Sequence, residues 1–324
     1  TQTMTKSKLF VTRKLPDAVE DRIASEFDAT LQGEGPVLSA QAIIEGATGC
    51  DALLAAPGDP ITEEVIAALK DSVRVISTFS VGFDHIDVAA AKAANIPVGH
   101  TPDVLSDATA DLTWLLLLAA ARRAHEGEQM VRTDAWNGWT PTQLMGTQVS
   151  GKRIAILGMG RIGQGVAKRA RGFDMEVHYY NRSRLSTDKE QGAIYHDSAE
   201  SLFGVADFLC LLCPLTEATK GLVNARTIER LPQGAIVINS GRGPVVDDAA
   251  LIDALKSGRV AAAGLDVYAG EPDIHAGYRT LDNVFLLPHL GSATVETRVA
   301  MGNLAIDNIQ AVLAGGRPVR EVSI

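Results

Sequence analysis

The segment Ile154-Ala155-Ile156-Leu157-Gly158-Met159-Gly160-Arg161-Ile162-Gly163 constrains this chain more than any other. An apolar run ends in G-x-G-x-x-G and opens into a helical pattern from Gln164 to Phe173; a second strand pattern, Glu176 to Tyr180, follows. That strand–turn–helix–strand order is the setting in which a glycine-rich loop holds a dinucleotide. Gly158, Gly160 and Gly163 let the backbone approach a pyrophosphate closely. The helix opened by Arg161 and Ile162 supplies free N–H groups and the positive end of its dipole.

An acidic residue at the end of the second strand would grip a ribose 2′-hydroxyl and repel a 2′-phosphate. The chain instead reads Asn181-Arg182-Ser183-Arg184. Asn181 does not repel a phosphate, Arg182 and Arg184 are placed to pair with one, and Ser183 can add a hydrogen bond. The expected cofactor is NADPH in preference to NADH, with NADH still possible.

The fingerprint sits near the middle of 324 residues, so another folding unit must precede it. The first hundred residues alternate strand-like runs (Leu9–Thr12, Ala52–Ala56, Val73–Phe79, Pro97–Gly99) with helical patterns (Asp17–Phe27, Thr62–Lys70, Asp87–Asn95). That alternation predicts a parallel sheet flanked by helices. An amphipathic helix is expected from about Val104 to Arg123, then a segment bearing Trp136 and Trp139 and a loop to Ser150. Further strands read as Phe208–Leu212, Ala235–Asn239, Val260–Leu265 and Val284–Leu287, and a helix from Val295 to Leu313 closes the pattern. The fold class expected is α/β: two doubly wound parallel-sheet domains, a Rossmann-type cofactor domain inserted in a flavodoxin-like substrate domain, with a cleft between them. The expected boundaries are 1–100 for the first part of the substrate domain, 101–288 for the cofactor domain and 289–324 for the C-terminal return.

Bulk properties exclude several classes. A net charge of −9 argues against nucleic-acid binding. The longest apolar run, Leu112 to Ala121, is too short to span a bilayer, and Thr1 to Lys8 lacks the apolar core of a leader. Of three cysteines, Cys210 and Cys213 share a redox-like or zinc-like spacing but lack a second ligand pair, so core packing, no metal and a cytoplasmic setting are expected.

Three further segments place polar residues just beyond buried strands. One ends in Asn239-Ser240-Gly241-Arg242, one in Asp266 followed by Glu271, and one in Pro288-His289. In a parallel sheet such ends line the ligand crevice. An arginine can bind an α-keto carboxylate in fork geometry and polarise the ketone. A histidine can deliver a proton to the ketone oxygen as hydride reaches carbon, and a glutamate beside it favours the charged imidazolium. Singly, Arg242 also fits a surface ion pair, Glu271 a solvated loop charge and His289 a core or cap residue; their joint occurrence downstream of the fingerprint points to chemistry. His85 is the nearest competing histidine.

With these motifs, and with Pro214-Leu215-Thr216, Gly264-Leu265-Asp266-Val267, Gly270-Glu271-Pro272 and Pro288-His289-Leu290-Gly291-Ser292, essentially the whole chain resembles the D-isomer-specific 2-hydroxyacid dehydrogenases. The resemblance implies that Arg242, Glu271 and His289 are catalytic. It implies that Asp266 holds the nicotinamide carboxamide and that Cys213 and Pro214 border the adenosine. The same motifs put Ser240, Gly241 and Gly291 at the cofactor and Ser292 at the substrate. Ser77 to Asp87 and Trp136 to Trp139 look most like the glyoxylate/hydroxypyruvate reductase (glycerate dehydrogenase) branch. There the backbone at Val81 and Gly82, beside Ser80, cradles the substrate carboxylate, and a residue matching Trp139 reaches the partner subunit's site. A homodimer reducing small 2-keto acids is the implied activity. Simple packing at a dimer interface also fits both tryptophans. A nicotinamide-sensing binding protein of the corepressor type and a dehydrogenase for another keto acid are the alternatives.

Overall fold

The computed structural model describes residues 5–323, so Thr1 to Met4 of the segment read for a leader lie outside it. The described chain forms two compact units. The first holds the residues up to Leu105 together with those from Ala293 onward, and the second holds Ser106–Ser292.

In chain order the first unit contains β1 (Lys8–Val11), α1 (Asp17–Glu26), β2 (Asp28–Thr30), α2 (Ala40–Ala47), β3 (Ala52–Ala55), α3 (Glu63–Leu69), β4 (Val75–Thr78), α4 (Val88–Ala93) and β5 (Val98–Gly99). The strands are all parallel in the order β2-β1-β3-β4-β5, the flavodoxin-like arrangement. Every residue of β3 and β4 is buried, as expected of strands covered on both faces. Side-chain caps start four of this unit's helices: Ser39 accepts from the Ala42 N–H, Thr62 from Val65, Asp87 from Ala90 and, far downstream, Thr294 from Thr297.

The second unit contains α5 (Ser106–Ala121), α6 (Ala124–Arg132), β6 (Arg153–Leu157), α7 (Arg161–Gly172), β7 (Glu176–Tyr180), α8 (Thr187–Glu190), β8 (Ile194–Tyr195), α9 (Ala199–Phe203), β9 (Phe208–Leu211), α10 (Ala225–Ile228), β10 (Ala235–Asn239), α11 (Asp248–Ser257), β11 (Val260–Leu265) and β12 (Val284–Leu286). Its seven parallel strands run β12-β11-β10-β9-β6-β7-β8. Strand order reverses between β9 and β6, the topological switch point of a Rossmann sheet. Alternate side chains of β6, β9 and β10 feed two cores: Leu157, Leu209 and Val237 on one face, Ile156, Phe208 and Ile238 on the other. Finally α12 (Val295–Leu313) returns to the first unit, where Met301, Ala305, Ile306 and Ile309 join Leu9, Val19 and Val75 in one cluster. No helix among the described residues is long and apolar enough to cross a membrane.

Two expectations are corrected here. The helix at 106–121 is not amphipathic: Ala110, Thr113, Trp114, Leu116, Leu117 and Ala120 are all buried, because α5 is wedged between α7 and the sheet. His289 to Ser292 lie in the second unit rather than with the C-terminal return, since the Leu290 and Gly291 N–H groups bond to Asp266 at the end of β11. Cys210 and Cys213 belong to opposite cores, and burial pushes their thiols up to about 12 and about 11.

Candidate active site

Because every strand of the second unit is parallel, the loops that follow them leave one edge of the sheet. Read along that edge, the loops carry His289 after β12, Asp266 and Glu271 after β11, Arg242 after β10, Cys213 after β9, Gly158 after β6 and Arg182 after β7. Candidate chemistry therefore sits at one end of a row and candidate nucleotide binding at the other, with the switch point between.

The glycine loop meets the demands of a dinucleotide. Gly158 has φ +92°, and a Cβ there would come within 2.6 Å of the Cys213 backbone. A Cβ on Gly163 would stand 2.8 Å from the Gly158 carbonyl oxygen, so this glycine permits the close strand–helix contact. A Cβ on Gly160 would meet nothing within 4 Å: the space above the helix start is open. Gly160 is the N-cap of α7 and no side chain caps that end, which leaves its first amides available to a phosphate. A nicotinamide dinucleotide fits these residues.

Asn181 plays a different part from the one expected. Its Oδ1 accepts from the Met159 N–H at 2.7 Å and its Nδ2 donates to the Met159 carbonyl at 3.2 Å. Both ends of its amide are thus engaged in shaping the glycine loop. Arg184 is not a free cation either. Its Nε and Nη2 lie 2.7 and 3.2 Å from the two oxygens of Glu190, which is 5% exposed. Arg182 and Ser183 are exposed, and Arg182 has no partner among the described residues. The signal that sequence reasoning missed is Glu190, an acid in a short helix whose burial only the packed structure reveals.

At the other end of the row, His289 Nδ1 lies 2.7 Å from Glu271 Oε2. The Glu271 bond raises the His289 imidazole above its ordinary range, outweighing burial, which lowers it. Burial pushes the Glu271 carboxyl up, but the His289 bond, the Tyr268 N–H and the charges of His289 and Arg242 hold it below the usual carboxylate range. A carboxylate on Nδ1 leaves Nε2 as the nitrogen that can carry a transferable proton, and the His289 side chain is 56% exposed. His289 itself adopts φ +57°. The next two amides, of Leu290 and Gly291, donate to the two oxygens of Asp266 at 2.7 and 2.9 Å. Asp266 thus anchors the loop that aims His289; burial raises its carboxyl above the ordinary range despite those two donors.

Arg242 is set by a motif residue to which the sequence assigned no role of its own. The buried Asn239 donates to the Arg242 carbonyl at 3.0 Å and accepts from the Gly241 N–H at 3.1 Å, folding the turn after β10. Ser240 Oγ lies 2.7 Å from Thr113 Oγ1 on α5. Pro214 is exposed beside the buried Cys213.

In the first unit, the carbonyls of Ser80, Val81 and Gly82 are all engaged: by the Thr101 N–H at 2.8 Å, by His100 Nδ1 at 2.9 Å and by the Ser80 hydroxyl at 2.7 Å. Among the described residues the Val81 and Gly82 N–H groups donate to no backbone carbonyl, as an anion cradle requires. His85, the competing histidine, lies 2.9 Å from Thr78 Oγ1, and burial holds its imidazole below the ordinary range. Trp136 and Trp139 are 51% and 81% exposed. Among the described residues no three His, Cys, Asp or Glu side chains are grouped to hold a metal ion.

Residues 114–291 match the family model of the NAD binding domain of D-isomer specific 2-hydroxyacid dehydrogenases. The chain is 44% identical to a glycerate dehydrogenase from Hyphomicrobium methylovorum over 314 residues, 96% of this chain and 98% of that one. It superposes with a TM-score of 0.95 on a solved Polaromonas sp. JS6 66 structure described as a D-isomer specific 2-hydroxyacid dehydrogenase, NAD-binding, at 47% identity, covering 98% of this chain and 100% of the other. An NADPH-dependent glyoxylate/hydroxypyruvate reductase from Sinorhizobium meliloti, solved with NADP and malonate, gives a TM-score of 0.87 at 31% identity, covering 98% and 97% of the two chains.

Proposed function

The chain belongs to the D-isomer specific 2-hydroxyacid dehydrogenase family, and from that premise we propose that it reduces glyoxylate and hydroxypyruvate to glycolate and D-glycerate, with NADPH preferred. The observation that carries the reading is the His289–Glu271 pair at 2.7 Å, on adjacent strand ends and within reach of the Arg242 charge. The bound nicotinamide supplies the hydride. His289 delivers the proton from Nε2 to the oxygen that becomes the alcohol, and Glu271 keeps the imidazole charged and fixes which nitrogen faces outward. Arg242 holds the keto-acid carboxylate and stabilises negative charge growing on the ketone oxygen. In the first unit Ser80, Val81 and Gly82 form a loop suited to a carboxylate, and in the second Ser292 is assigned to the substrate. Gly291, Ser240 and Gly241 border the nicotinamide half, with Asp266 anchoring the loop behind it; Cys213 and Pro214 border the adenosine.

The relatives that carry glyoxylate, hydroxypyruvate and glycerate in their names support this substrate class, and the unrepelled strand end at Asn181 supports NADPH. With Arg184 held by Glu190, Arg182 is the principal contact to the 2′-phosphate and Ser183 its hydrogen-bonding neighbour. A charge-assisted hydrogen bond contributes about 1.5–3 kcal/mol, so Arg182→Ala is expected to weaken NADPH roughly 10–150-fold and NADH hardly at all. We further propose a homodimer in which Trp139 reaches the partner subunit's site. The test is kcat/KM for a panel of 2-keto acids with both cofactors; turnover confined to bulky or phosphorylated keto acids, or equal efficiency with NADH, would overturn the assignment.

A further inference from the structure

Arg184 shares the loop after β7 with Arg182 but, unlike it, has a partner among the described residues. Three contacts fix it. Glu190 takes its Nε and Nη2 in fork geometry, and the guanidinium carbon lies 5.6 Å from the centre of the Tyr195 ring. The Glu190 carboxylate has one other partner among the described residues, the Tyr179 hydroxyl, which itself accepts the Leu185 N–H at 3.1 Å; Arg171 Nη2 donates to the Glu190 carbonyl at 2.9 Å. Glu190 is therefore built into the floor of the 181–185 loop. If Arg184 turned away to meet an incoming anion, it would strand a carboxylate that is 5% exposed with Tyr179 as its remaining partner. The pair consequently stays formed and presents almost no net charge to a ligand.

We infer that Glu190 sets how steeply this chain distinguishes a 2′-phosphorylated adenosine from an unphosphorylated one, by holding Arg184 in a neutral pair and leaving the recognition to Arg182. The inference rests on the reading of the Asn181–Arg184 loop as the 2′-phosphate site. Its physical content is Coulombic: the attraction of a phosphate for Arg184 is offset by repulsion from the carboxylate directly behind it. Removing the negative charge while keeping the shape of Glu190 adds one uncompensated cation at the rim. Arg184 is 63% exposed, so solvent screens the gain to a modest factor.

The experiment is calorimetric titration of the full-length protein with 2′,5′-ADP and with 5′-AMP, which isolates the 2′-phosphate without turnover. In Glu190→Gln the affinity ratio between the two ligands is expected to rise about 3–10-fold over wild type, with 5′-AMP unchanged. Adding Arg184→Met to that variant is expected to cancel the gain, because the gain is the released Arg184 charge. A ratio that stays at the wild-type value or falls in Glu190→Gln overturns the inference, as does a gain that survives Arg184→Met. Should Glu190→Gln fail to fold, Glu190→Met has the same length without the charge and is expected to raise the ratio likewise. Arg182→Ala separates the two levels of the argument. If it leaves the ratio unchanged, the phosphate site itself is misplaced; if it collapses the ratio while Glu190→Gln does not raise it, only the role of Glu190 fails.

Discussion

At the residue scale the decisive geometry is one nitrogen of one ring. With Glu271 on Nδ1, the proton on His289 Nε2 is the one available to a substrate. His289→Ala is expected to lower kcat by roughly 10²–10⁴-fold, the usual contribution of a general acid, while the Kd for NADPH from fluorescence titration changes little. More than about a tenth of the wild-type kcat remaining would take the role from His289. Glu271→Gln tests the pair by pH. Reduction needs the imidazolium, so it persists below the His289 pKa and fails as pH rises through it. Glu271 raises that pKa; the glutamine variant should bring the upper limit of the kcat/KM profile down toward about 6.5, the unperturbed histidine value. An unmoved profile would show that the 2.7 Å contact is not felt in the working enzyme.

At the scale of elements, the turn from β6 into α7 separates two kinds of glycine. Gly158 is needed by the fold, since its φ is +92° and a side chain would strike the Cys213 backbone. A left-handed conformation costs an alanine about 1–2 kcal/mol and overpacking adds roughly 1–3. Gly158→Ala should therefore lower the melting temperature measurably even without cofactor. Gly160 is needed by the ligand, since its missing side chain faces open space above the uncapped end of α7. Gly160→Ala should melt like wild type yet bind NADPH at least about tenfold more weakly, a difference of ~1.4 kcal/mol. Reversal of that pattern would mean that the phosphates do not sit over α7. Asp266 shows the same economy in a loop: one buried carboxylate receives two successive amides and so holds the residue just before them, His289, in its left-handed turn.

For the whole molecule, the association argument rests on the tryptophan-bearing segment after α5 and not on α5 itself. The apolar surface of α5 is largely used within its own unit, against α7, β10 and β11. α5 itself exposes Leu115 at 47%, and the segment beyond it exposes more: Val131 at 64%, Trp136 at 51%, Trp139 at 81% and Met145 at 67%. Large apolar groups gathered on one segment mark an interaction surface. Light scattering at micromolar concentration should report twice the mass of the chain. Trp139→Ala should alter the preference among keto acids while leaving the KM for NADPH near normal; a monomeric wild type would refute the assembly. The local patterns of the sequence were enough to read the order of strands and helices, the glycine loop, the missing acid after β7 and the polar ends of β10, β11 and β12, because each is a matter of periodicity or spacing within about ten residues. Short elements such as β2, β8, α8 and α10 escaped, since two to four residues carry no period to detect, and the longer helices α2, α6 and α11 were not read either. Tertiary structure alone decided that α5 is buried nearly all round, that Asn181 serves the glycine loop, and that Asp266 aims His289. It also decided that the exposed Arg184 is paired with the buried Glu190. Each of these depends on which side chain is excluded from water beside which other, and burial of that kind is a property of packed elements that no stretch of sequence holds by itself.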